Sequence, residues 1–122
     1  MKALLSIKPE YVKQILSGRK KYEYRKRIFK KKVETVIIYS SMPEGKIIGE
    51  FLIEMILLDT PDNIWEKTKN HSGISKKGFQ DYFSGKNKAY AIKIGEFTKY
   101  ETPINPYTEF ENFQAPQFFK YV

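Results

Sequence analysis

The sequence predicts an α+β fold: a small, partly open mixed β-barrel with two or three short helices packed around it. Three observations point there. β-Branched runs are long enough to make curved strands, short helical stretches are bounded by Pro, Gly and Ser, and an aromatic tail needs a surface to cover. A length of 122 residues suits one domain, 1–122. Size scaling gives roughly 6,800 Å² of folded surface against about 20,900 Å² unfolded, so a core can form without metals or disulfides.

Residues 3–8 read as a short strand, after which Pro9 opens a helix, where its fixed φ and missing N–H do no harm. Val12, Ile15 and Leu16 give this helix one buried stripe, and Gly18 is its stop. Residues 20–27 alternate as a strand, with Tyr22 and Tyr24 on one face and Lys21, Glu23 and Arg25 on the other. Strict alternation leaves Lys20 off that second face, so either it belongs to the preceding turn or the strand carries a bulge. A β-branched strand spans 33–41, and Pro43-Glu44-Gly45 is a turn. In 46–59, Ile47, Phe51, Ile53, Met55 and Leu57 share a strand face. A helical period also fits, but the preceding turn and the isoleucine content favour strand. Asp62 or Asn63 caps a helix to about Asn70, Gly73 breaks it, and Ser75 caps a second over 76–83. Residues 88–100 form a long strand with Gly95 at a bulge. Beyond Pro103, the rings of Tyr107, Phe110, Phe113, Phe118, Phe119 and Tyr121 are expected to lie across the sheet as a final strand and cover.

Composition narrows the function. With no cysteine, a disulfide framework, a thiolate zinc site and a thiol nucleophile are excluded. A single histidine, His71, excludes a His-rich metal centre. The start of the chain lacks the apolar stretch of a signal peptide, and the longest apolar run, 51–58, is interrupted by Glu54 and too short to span a bilayer. A cytoplasmic protein without membrane partners is expected. The net charge of +8 is localised. Residues 19–32 hold nine basic side chains and one acid, and the remaining 13 basic and 13 acidic residues balance. All three arginines, Arg19, Arg25 and Arg27, lie in this stretch with Tyr22, Tyr24 and Phe29 between them. Cations for phosphates interleaved with rings for bases suit a nucleic-acid contact. A merely solvated face with its aromatics turned inward is the competing reading.

Within that stretch stands Gly18-x-Lys20-x-x-Glu23-x-Arg25. This resembles the signature of the ASCH domain family, a branch of the PUA-like barrels. Further segments resemble the family in order: Leu5-Ser6-Ile7-Lys8-Pro9, Tyr39-Ser40-Ser41-x-Pro43 with Gly45-Lys46-Ile47-Ile48-Gly49, His71-Ser72-Gly73-Ile74-Ser75, and Ala115-Pro116-Gln117-Phe118. The resemblance implies a cleft beside the barrel that holds RNA or a nucleotide-like ligand. Gly18 would let the chain turn sharply. Lys20 and Arg25 would face phosphate or a base edge, and Glu23 would orient one of them or accept from a base amino group. The alternative is a surface ion pair beside a tight turn, which contributes little stability. Lys21 and Arg27 extend the basic surface, and Ser40 and Ser41 could donate to phosphate from the cleft rim or simply serve the turn before Pro43.

Some relatives in the family are similar to amidohydrolases acting on N4-acetylcytidine through the motif lysine, a threonine three residues on and a downstream glutamate. Here Lys20 is retained, Glu23 replaces the threonine, and after Glu66 the next carboxylate is Asp81. Others are metal-assisted ribonucleases, for which Glu23 with Glu50 or Glu54 could hold Mg²⁺ or Mn²⁺. His71 could serve as an acid or base or merely cap a helix end, and Trp65 could stack on a base or fill the core. The leading expectation is an RNA-binding module, DNA being a second possible ligand, with no metal or cofactor. The alternative is a hydrolase on RNA or a modified nucleoside with Lys20 and Glu23 as its catalytic pair. A protein-interaction domain whose basic face meets an acidic partner is the third.

Overall fold

The computed structural model describes all 122 residues. The chain runs β1 (Lys2–Ile7), α1 (Pro9–Leu16), β2 (Tyr22–Arg25), β3 (Thr35–Ser40), β4 (Lys46–Asp59), α2 (Pro61–Thr68), a 3₁₀ turn (Lys69–His71), α3 (Lys76–Tyr82), β5 (Ala89–Ile104), α4 (Pro106–Glu109) and β6 (Lys120–Tyr121). The six strands make one mixed sheet in the order β2-β5-β4-β3-β1-β6. β1 and β3 are parallel and every other pairing is antiparallel.

The sheet curls because its two long strands do not run in even register. β4 and β5 span 14 and 16 residues, and their pairing shifts at Ile47/Gly49, Phe51/Ile53 and Ile53/Met55. Each extra residue bends the strand and adds twist. One shift falls at Gly95, where Phe51 faces Phe97 and Ile53 faces Ile94. The curled sheet is a partly open barrel whose two edges are β2 and β6. Arg25 bridges them: from β2 its guanidinium donates to the carbonyl of Ser6 in β1 at 2.8 Å and to that of Phe118, beside β6, at 3.1 Å. The accessible surface, 7624 Å², exceeds the roughly 6,800 Å² of a compact chain of this mass. Incomplete closure is one reason; Leu52, Met55, Ile56 and Leu58 on β4 are all exposed.

The core lies in three clusters. Val12 and Ile15 of α1 pack with Leu5, Ile7, Val36, Ile38, Ile48, Phe51 and Ile92 of the sheet. Tyr24 of β2 and Ala89 and Ala91 of β5 pack against Ile64, Phe79 and Phe83 from the helical side. Leu4, Tyr39 and Ile47 form the third cluster under the tail. Trp65 belongs to the second, 5.1 Å from the Phe79 ring.

Several local expectations are corrected. The stripe on α1 is Val12 and Ile15 only, since Leu16 is 43% exposed in the last turn. The α2 cap is Thr60 rather than Asp62 or Asn63: its hydroxyl accepts from the Asn63 N–H, and Pro61 occupies the first helical turn. β2 begins at Tyr22, not at residue 20, and β5 continues through Pro103 to Ile104. The tail adds a fourth α-helix and only a two-residue strand on β1. Phe113, Phe119 and Tyr121 are half-buried, while Tyr107, Phe110 and Phe118 stay exposed.

The packing makes stability sensitive to alkali. Burial pushes the Tyr24 hydroxyl up to about 12. Tyr39 and Tyr100 also rise to about 12 through burial, reinforced by the Tyr107 hydroxyl and the Glu50 carboxylate respectively. An unfolded tyrosine ionises near its ordinary value of 10.0, so above that pH the folded chain holds more protons and loses stability. Stability from this source is expected to be full below pH 10.0 and to decline towards pH 12. Thermal melts across that window should show the decline, and Tyr24→Phe should flatten it. An unchanged slope in the variant would refute the assignment.

Candidate functional site

The motif residues meet in a cleft of about 540 Å³ bounded by the end of β1, α1, β2, α3 and the tail. Its construction starts where α1 stops. Gly18 takes φ +80°, and the N–H groups of Arg19 and Lys20 both turn back to the Gln14 carbonyl at 3.1 and 3.0 Å. That coil delivers Lys20 before β2 begins, which settles the alternation question: Lys20 is a turn residue that reaches inward. Lys21 is then pinned to the 3₁₀ turn, its N–H donating to the His71 carbonyl at 2.9 Å.

Lys20 is buried, with 3% of its surface exposed. Its ammonium donates to the Ser72 carbonyl at 2.9 Å and lies 3.8 Å from Glu23 Oε1. It stands 4.6 Å from the Tyr24 ring centre and 5.4 Å from that of Tyr11, within cation–π range. Burial holds its pKa below the ordinary lysine value; the Glu23 carboxylate pulls it back up and the Arg25 guanidinium pushes it further down. Gly73, at φ +63°, presses against this side chain so closely that an added Cβ would stand 2.4 Å from Lys20 Cβ. The glycine is there because Lys20 fills the space a side chain would take.

Glu23 is buried too, and its Oε2 accepts from Arg25 Nη2 at 3.0 Å. With side-chain exposures of 2%, 9% and 13%, Lys20, Glu23 and Arg25 form a partly desolvated triad rather than a surface ion pair. Arg25 Nε is buried with no acceptor. Two cations here share one carboxylate. The other acid on the cleft, Asp81, is exposed and pairs with Lys77 at 3.3 Å.

The remaining expected residues lie elsewhere. Lys21 and Arg27 are exposed outside the cleft. Ser40 is fully buried with its hydroxyl donating to Glu44 at 3.1 Å, and Ser41 gives its N–H to the Ile7 carbonyl, so neither forms the cleft rim. Glu50 is engaged by Tyr100 and Lys2, and Glu54 by Lys93, so neither joins Glu23 in a metal site, and no group of three His, Cys, Asp or Glu side chains forms one. His71 is exposed and off the cleft.

Residue chemistry alone did not single out Tyr11, Tyr82, Ser6, Lys8 and Gln117, all of which line the cleft. Three of them sit in segments quoted above for their family likeness: Ser6 and Lys8 before α1, and Gln117 in the tail. Those segments converge in space, and Ser6 Oγ donates to the Pro116 carbonyl at 2.9 Å.

The ASCH domain model matches residues 5–101. A protein of Zymomonas mobilis named as an ASCH domain-containing ribonuclease is 31% identical over 122 aligned positions, covering 94% of this chain and 80% of that protein. The large ribosomal subunit protein uL22 of Ureaplasma parvum is 34% identical over 91 residues, 75% of this chain and 29% of that protein. The chain thus spans less than a third of that ribosomal relative. The crystal structure of ASCH from Zymomonas mobilis superposes with a TM-score of 0.90 at 29% identity, covering 99% of this chain and 87% of that one. No helix here is long and apolar enough to cross a membrane.

Proposed function

The chain belongs to the ASCH domain family, and from that premise we propose that it binds RNA, seating one nucleotide unit in the cleft with phosphate against Lys20 and Arg25. The observation that carries this is the charge imbalance inside the cleft. A buried lysine and a partly buried arginine with one carboxylate between them leave positive charge that an entering phosphate would neutralise. Tyr11 and Tyr82 on the walls offer rings to the base. An anion also favours charged Lys20. Affinity is therefore expected to fall as pH rises through a range below that of an ordinary lysine.

The test is a salt titration of binding to a trinucleotide RNA by the wild type and Lys20→Met, each checked for an unchanged thermal melt. Loss of one phosphate contact should weaken binding about tenfold and reduce the salt slope by about one. No binding at low salt, or an identical slope in the variant, would overturn the proposal.

A second reading is cleavage of the bound RNA, favoured by the name of the Zymomonas mobilis relative. Glu23 would take the proton of a ribose 2′-hydroxyl whose oxygen attacks the adjacent phosphorus. Lys20 would stabilise the added negative charge while the bond from phosphorus to the 5′-oxygen breaks and that oxygen takes a proton from water, giving a 2′,3′-cyclic phosphate and a 5′-hydroxyl. The amidohydrolase chemistry has less support, because Glu23 stands in place of the threonine and offers no hydroxyl. Cleavage predicts a cyclic-phosphate end that disappears with a 2′-deoxy substitution at the scissile position. RNA left intact overnight would leave binding alone.

A further inference from the structure

The basic segment meets aromatic rings in a way its own order does not suggest. Tyr24, which interrupts it, is buried in the core, and Phe29 packs edge-on against Phe119 at 5.0 Å. The rings beside the exposed cations come from elsewhere. Lys26 lies 4.5 Å from the ring centre of Tyr82 on α3, Arg27 lies 4.2 Å from that of Phe118, and Lys31 lies 5.1 Å from that of Tyr121. Tyr82 and Phe118 are 37% and 40% exposed. Two of the pairs meet the cleft: Tyr82 also lines it, and the Phe118 carbonyl is held by Arg25.

We propose that this row of cation–ring pairs is a track for single-stranded RNA leaving the cleft, with phosphates on Lys26, Arg27 and Lys31 and a base stacked at Phe118. The proposal rests on reading the cleft as an RNA site. Single strands offer free base faces, which stack on rings or on a guanidinium plane, whereas paired strands keep theirs inside the helix. A solvated basic face would need no exposed rings, since lysines and arginines alone stay soluble. Each cation–ring contact also modestly favours the paired arrangement at an exposed site, which reduces the ordering required when a strand arrives.

The test compares a trinucleotide, a nine-nucleotide single strand and a duplex of the same length, bound by wild type, Phe118→Leu and Arg27→Gln. Neither variant alters a cleft side chain, and Phe118→Leu keeps the backbone carbonyl that Arg25 uses. The wild type is expected to bind the longer strand at least tenfold more tightly than the trinucleotide. Phe118→Leu should remove about tenfold of that gain, and Arg27→Gln should lower the salt slope by about one. Trinucleotide binding should stay within about twofold in both, well under the tenfold of one lost phosphate contact. The track is refuted if the longer strand gains nothing, if the gain survives both variants, or if the duplex gains equally. Failure of the trinucleotide to bind at all would instead remove the cleft reading beneath it.

Discussion

Gly73→Ala is expected to lower stability by roughly 2–5 kcal/mol, the strain of a side chain in the left-handed region plus that of overpacking a filled interior. Gly73 sits at φ +63°, and its Cβ would meet Lys20 Cβ, Cγ and Cδ at 2.4, 2.7 and 2.9 Å. The lysine cannot step aside at little cost. Its root carbon is the nearest atom, its ammonium is tied to the Ser72 carbonyl next to the glycine, and Lys21 is hydrogen-bonded to His71. Two backbones would have to separate, displacing Lys20 from Glu23. Gly18→Ala is the control: φ is +80° there, but nothing lies within 4 Å of an added Cβ. It should cost only the strain, about 1–2 kcal/mol. Urea unfolding of both variants measures the difference, and equal losses would show that the Lys20 contact is relieved cheaply.

Glu23→Ala should be of similar size, roughly 3–5 kcal/mol, because it leaves buried cations without their counter-charge. Its pH dependence separates this from a simple cavity. Burial and Arg25 both push the Lys20 pKa down, and Glu23 is what pulls it up. In the variant the folded value falls further below the 10.5 of an unfolded lysine. Between the two values the unfolded chain holds more protons, so stability rises with pH across that window. The defect is therefore expected to be largest at low pH and to shrink as pH climbs. Adding Lys20→Met should recover part of the loss and remove the pH dependence. A flat defect, or a loss under about 1 kcal/mol, would mean the triad behaves as an exposed pair.

Much of the site was legible because its chemistry is local in the chain. Gly18, Lys20, Glu23 and Arg25 span eight residues, and the turn and strand between them set their relative directions over that distance. The direction of Lys20 was left open by strand alternation alone; it is decided by the two N–H groups that turn back to Gln14. Ser40 and Ser41 illustrate the reverse. They carry the right groups for phosphate, yet β3 places Ser40 in the interior, where Glu44 takes its hydroxyl.

The sequence by itself determined the α+β class, the order of the long strands, the concentration of positive charge in residues 19–32 and the motif within it. These follow from periodicity, turn residues and composition, which act over a few positions. Only the tertiary structure decided that Arg25 bridges the open edges of the barrel, that Gly73 yields its space to Lys20, and that Tyr82 and Phe118 stand beside the basic segment. Each of these joins groups 19 to 93 residues apart, where contact depends on how the whole sheet curls rather than on any local preference of the chain.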